Sequence, residues 1–105
     1  KDPIFLHEWC RKEDLENDFE ISLTNENILF ASYTYANYSG DAFVLFEKDG
    51  LLYEVNAAHC SCYGLEGQWE PEETTIESLK YRLTEGKLGY YDWNEFRNEL
   101  LEFLQ

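Results

Sequence analysis

Every histidine and cysteine of this chain falls in one of two short stretches, His7-x-x-Cys10 and His59-Cys60-x-Cys62. Together they offer enough soft ligands for a tetrahedral zinc shell built from Cys10, His59, Cys60 and Cys62, with His7 as a substitute. The spacing departs from the usual C-x2-C knuckle, because Cys60 and Cys62 can meet one ion only from a turn. The two stretches would also have to meet in space. Against zinc stands the ordinary reading, in which Cys10 is a small buried hydrophobe and the histidines are edge residues. A Cys60–Cys62 disulfide across one intervening residue would be strained and labile. A Cys–His nucleophile is disfavoured. Neighbours on an extended chain point to opposite faces, and the acidic surroundings work against a thiolate.

The same region carries Glu66, Glu70, Glu72 and Glu73. Carboxylates can act as general acid and base, or hold a hard cation. Neither role is signalled here: no EF-hand spacing is present, and a small domain has little room for the cleft that paired carboxylates would need. No phosphate-binding glycine loop, Gly-x-Ser-x-Gly, His-Glu-x-x-His or basic stripe occurs. Recognition is the stronger reading. The stretch from His59 to Thr75 is long for a connection without structure of its own, and such loops are usually functional or disordered. Tyr63, Leu65 and Trp69 argue for order. Gly64 and Gly67 permit tight turns, and Pro71 stiffens the exit. The expectation is a rigid loop that presents Glu66, Gln68, Glu70, Glu72 and Glu73 over an aromatic footing. Tyr63 and Trp69 either dock inward or anchor an interface.

Charge supports recognition. The chain has 22 acidic residues against 8 basic ones, a formal net charge of −14. Such a field repels nucleic acid and anionic membranes, because phosphate binding requires Lys and Arg to displace counterions. It attracts basic surfaces and speeds encounter with them, although it also serves simple solubility. The acids concentrate at the two ends of the chain. Residues 28–65 hold four acids and one base, whereas residues 66–105 hold ten acids and four bases.

The elements that must position these groups follow from local pattern. At 105 residues the chain is expected to be one domain, 1–105. Its hydrophobic fraction of 44% argues against disorder. No apolar run approaches the ~20 residues of a membrane span, and no secretory signal pattern is seen. The odd number of cysteines argues against a disulfide framework and for a reducing, cytoplasmic setting. "IFLHEWCRKEDLEN" predicts a short helix or turn. "DFEISL" alternates and predicts a half-buried strand. "ILFASYTYAN" predicts a strand, and "AFVLFE-KDG-LLYEVNA" a hairpin turning at Asp49-Gly50. "TTIESLKYRLTEG" predicts a helix capped by Thr74 or Thr75, with Ile76, Leu79 and Leu83 on one face. "YYDWNEFRNELLEFL" predicts a helix that starts in a capping box of Asp92 and Glu95. Its inner face carries Trp93, Phe96 and Leu100, and its outer face carries Glu95, Glu99 and Glu102. The fold class is α+β: an antiparallel β-meander of three to four strands, with a short N-terminal helix and two C-terminal helices packed over one face.

The block "LYEVNAAHCSCYGLEGQWEPEET" resembles one found in small uncharacterised acidic proteins of bacterial and phage genomes, over about residues 41–83. That resemblance implies no activity. In layout, size and charge the chain resembles acidic phage anti-CRISPR and antirestriction inhibitors. This second likeness implies a DNA-mimicking inhibitor of a basic nucleic-acid-handling protein in the bacterial host cytoplasm, with no enzymatic activity, no cofactor and no direct nucleic-acid binding. The loop acids with Gln68, Trp69 and Tyr63 would carry binding, extended by Glu95, Glu99 and Glu102. The alternatives are a zinc-stabilised adaptor, a small enzyme using His59 and the loop carboxylates, and a homodimeric scaffold.

Overall fold

A computed structural model of the chain describes residues 2–36, 39–60, 64–91 and 94–105. Cys62, Tyr63, Asp92 and Trp93 lie outside the described residues. The fold is α+β, with a five-stranded, mostly antiparallel sheet in the order β1-β2-β3-β4-β5. Its strands are β1 (Ile4–His7), β2 (Asn27–Ala36), β3 (Ser39–Lys48), β4 (Leu51–His59) and β5 (Glu72–Thr74). The helices are α1 (Lys12–Phe19), α2 (Ile76–Thr84) and α3 (Arg97–Leu104). Two-residue strands β6 (Tyr90–Tyr91) and β7 (Asn94–Glu95) pair just before α3.

The β3–β4 hairpin is the part dictated most directly by local chemistry. Lys48 pairs with Leu51, leaving Asp49 and Gly50 as a two-residue turn. Both central residues take positive φ, 55° and 80°, the type I′ geometry that matches strand twist. Alternation then sorts the strands onto two faces. Val44, Phe46 and Val55 point one way, and Phe43 and Leu45 the other.

Both faces are covered, and this corrects the expectation that the helices share one. Leu15 and Phe19 of α1 pack with Trp9, Val44, Phe46 and Val55 on the first face. Leu79 and Leu83 of α2 and Leu100 of α3 pack with Phe30, Phe43, Leu45 and Phe96 on the second. The sheet is therefore the middle layer of three. β2 and β3 bury apolar side chains on both faces, as central strands require, whereas β4 buries Val55 on the first face and carries Glu54 and Asn56 on the second.

Three local expectations differ from the structure. The first segment opens with a strand: Ile4–His7 pairs parallel to β2, and α1 is the crossover between them. "DFEISL" is not a strand. Glu20 takes a left-handed conformation at φ 57° and ends α1. The N–H of Ile21 then bonds the Glu16 carbonyl at 3.1 Å, and that of Leu23 bonds the Glu16 carboxylate at 2.8 Å. These bonds spend the backbone donors a ladder would need. Finally, α3 begins at Arg97 rather than Asp92. The Phe96 N–H bonds the Gly89 carbonyl at 3.2 Å, which closes the small β6–β7 pair. Gly89 is required there: it sits at φ 77°, and a Cβ would come within 2.9 Å of the Arg97 nitrogen. α2 forms as its cap predicts, with Ser78 N donating to Thr75 Oγ1 at 3.1 Å. Ile76, expected on the buried face, is 41% exposed.

Candidate functional site: an aromatic and acidic cleft

β2 supplies the wall of the site. Tyr33 and Tyr35 are two residues apart and so share the face towards α1. In register, Tyr35 pairs with Gly40 and Gly40 pairs with His59. A side chain at residue 40 would block the middle position, since a Cβ there would lie 2.6 Å from His59 Nε2 and 2.9 Å from the Thr34 carbonyl oxygen. Glycine leaves the gap through which His59 reaches across β3 to Tyr33.

The result is a buried polar pair. Tyr33 Oη and His59 Nε2 are 2.6 Å apart, and His59 Nδ1 lies 3.1 Å from the Cys60 carbonyl oxygen. A carbonyl only accepts, so Nδ1 donates to it, and Nε2 shares the second hydrogen bond with the Tyr33 hydroxyl. Tyr35 lies against His59 with ring centroids 5.0 Å apart and planes tilted by 35°, and it meets Tyr33 edge-on at 6.5 Å. Tyr33 and His59 are buried, whereas Tyr35 is 49% exposed.

Carboxylates surround this wall. One hollow of about 360 Å³ is lined by Tyr33, Tyr35 and His59 together with Asp18, Glu20 and Glu66. A second, adjoining hollow of about 430 Å³ shares Asp18, Tyr33 and Tyr35 and adds Glu8 and Asp14. Several of these acids are held in place. Asp18 Oδ2 accepts from Trp9 Nε1 at 2.8 Å, and Asp14 Oδ2 from Cys10 N at 2.8 Å. Glu66 Oε1 accepts from Gly64 N at 3.2 Å. Backbone N–H groups, its own and that of Gly64, hold the Glu66 carboxyl below its usual range, with His59 adding to the effect.

The Tyr33 phenol is pushed up to about 12 from 10.0, first by burial and then by the charges of Asp18, Tyr35, Glu8 and Glu66. A phenol held protonated this firmly is a poor proton donor at neutral pH, and both ring nitrogens of His59 are engaged. The Tyr33 shift also has a stability consequence. A raised pKa favours the folded state below pH 10 and loses that contribution as pH rises from about 10 towards 12. Wild type is expected to lose about 1–2 kcal/mol more than Tyr33→Phe over that interval, measured by urea unfolding at pH 9 and 11.5. Parallel losses in the two proteins would refute this assignment.

The residues singled out from sequence are only partly brought together. Among the described residues no group of three or more His, Cys, Asp or Glu side chains is arranged to hold a metal ion. Cys10 and Cys60 are exposed, His59 is spent on Tyr33 and Cys60, and His7 Nε2 lies 3.4 Å from the Glu95 carbonyl oxygen. Gln68 ties the loop to the sheet: its side-chain oxygen accepts from Ala58 N at 3.2 Å, and its amide donates to the Gly64 carbonyl at 3.0 Å. Trp69 docks inward, stacked on Phe46 at 5.5 Å and edge-on to Phe19 at 5.0 Å. Glu66 and Glu70 are exposed on the loop, but Glu72 and Glu73 belong to β5. Glu99 and Glu102 flank a separate hollow with Asp2, Ile4 and Phe103, beside β1. β1 and β5 are opposite edges of the sheet, so these acids form no single stripe.

Of the residues singled out from sequence, His59, Cys60 and Glu66 line the cleft; Tyr33, Tyr35, Asp18 and Glu20 line it with them and were not foreseen. The i, i+2 tyrosine pair on β2 was the available signal. Compared with protein-family models, curated proteins and solved structures, the chain matches none. No helix among the described residues is long and apolar enough to cross a membrane.

Proposed function

We propose that this is a non-enzymatic binding protein for a basic, nucleic-acid-handling partner, and that it acts by occupying the partner's DNA or RNA site, in the manner of acidic phage anti-defence inhibitors such as anti-CRISPR proteins. The observation that carries this reading is uncompensated surface charge. Acids outnumber bases by 22 to 8, and the carboxylates of Asp18, Glu20, Glu66, Glu70, Glu72 and Glu73 face solvent. Between described residues the basic side chains form two ion pairs, Lys48–Glu26 and Arg82–Glu54. Carboxylates on a fixed scaffold can stand in for a row of phosphates, and they repel nucleic acid itself. The partner meets the side bearing Glu66 and Glu70. Glu95, Glu99 and Glu102 add to the field from the far edge and steer approach.

Electrostatic steering makes association salt-sensitive. The on-rate for the partner is expected to fall on the order of tenfold or more between low and half-molar salt, read by surface plasmon resonance. An on-rate unchanged across that range would remove the reading.

A further inference from the structure

The half-exposed Tyr35 has no role in the core, yet it forms the common wall of two adjoining hollows. Its ring leans against His59, tilted by 35°, and against Tyr33 edge-on, and about half of it stays open to solvent. Among the described residues that line the hollows there is no Lys or Arg, while Asp18, Glu20 and Glu66 stand around the Tyr35–His59 side. Asp18 and Glu66 are anchored by Trp9 Nε1 and Gly64 N, and each carboxylate keeps further lone pairs for a second donor.

From this geometry we infer that the cleft is a receptor for one arginine side chain of the basic partner, the guanidinium lying on the face of Tyr35 and donating to Asp18 and Glu66. This rests on the binding reading above and specifies where the partner is gripped. Three features of the cleft match a guanidinium. It is planar and weakly hydrated, so it stacks on a tyrosine face at little desolvation cost. It presents several donors in a fixed fork, which suits carboxylates held from different elements, here α1 and the loop after β4. It carries the charge for which the rim provides no counter-ion of its own. The field of Asp18, Glu8 and Glu66 already converges on this hollow strongly enough to act on the Tyr33 hydroxyl.

The test uses the whole chain, uniformly ¹⁵N-labelled, titrated with N-acetyl-arginine amide and, separately, with its neutral isostere N-acetyl-citrulline amide. Saturable amide shifts are expected around residues 18, 35, 59 and 66 with the arginine probe alone. Tyr35→Ala, at an exposed position where folding is preserved, should weaken the probe about tenfold. Asp18→Asn with Glu66→Gln should do at least as much, whereas Glu77→Gln with Glu85→Gln, exposed acids on and just after α2, should leave it unchanged. Equal shifts with citrulline, shifts scattered over all acidic surfaces, or equal losses in both acid pairs would overturn the assignment. A cleft that fails this test in a protein still captured by a basic partner refutes the arginine receptor alone. A cleft that passes it in a protein with no salt-sensitive basic partner refutes the wider reading alone.

Discussion

Replacing Trp69 by Ala is expected to lower the free energy of unfolding by about 3 kcal/mol, a large fraction of the stability of a domain this size. The indole is stacked on Phe46 and set edge-on against Phe19, so it joins the loop, β3 and α1 through aromatic contacts. Its removal leaves a void beside Phe46, which is 2% exposed, and little nearby can collapse into it. Chemical denaturation measures the effect. If Trp69 were an interface anchor instead, the variant would keep its unfolding midpoint and lose only partner affinity. Trp69→Phe should recover much of the loss, since a ring is retained.

The second large effect concerns the ion pair between Arg82 and Glu54. Arg82 Nη2 donates to Glu54 Oε2 at 2.5 Å and lies 3.5 Å from Thr74 Oγ1, which links α2 to β4 and β5. The Glu54 side chain is 9% exposed and that of Arg82 36%. Arg82→Met removes the cation and leaves the mostly buried Glu54 carboxylate with the Asn56 amide, 3.3 Å away, as its neutral partner. Full burial would make that cost about 3–5 kcal/mol. The partial exposure of Arg82 reduces the expectation to about 2 kcal/mol. Arg82→Met combined with Glu54→Leu should return to within about 1 kcal/mol of wild type, because the double change removes both charges and fills the site. Additive losses in that double-mutant cycle would show that the pair contributes packing rather than charge compensation.

Most of the sheet was legible in the sequence because its signals are local. Asp49-Gly50 between two β-rich runs specifies a two-residue turn, and the turn fixes the register of β3 on β4. Thr75 with a 3.6-residue apolar period specifies α2. What was not legible depends on distant partners. Ile4–His7 is too short to declare itself a strand, and it becomes one only against β2. The Asp92–Glu95 spacing resembles a cap, but Gly89 and Phe96 close a small strand pair that delays α3 to Arg97. The alternation in "DFEISL" lost to the left-handed turn at Glu20. The site divides in the same way. The stretch from His59 to Glu73 drew attention for its cysteines and acids, and the structure brings His59, Cys60 and Glu66 to the cleft. Their partners Tyr33, Tyr35, Asp18 and Glu20 lie on β2 and around the end of α1, and only the three-layer fold brings them together. Gln68 and Trp69 form the loop's footing, and Glu66 faces the cleft.

Under the proposed function the acidic surface competes with nucleic acid for a basic protein. The most direct measurement immobilises the chain, loads cell lysate at low salt, and elutes first with duplex DNA and then with high salt. A basic nucleic-acid-binding protein is expected to be retained, to be displaced by DNA, and to be held less well by a Glu66→Gln, Glu70→Gln variant. Retention that DNA does not disturb and half-molar salt does not reverse would contradict it.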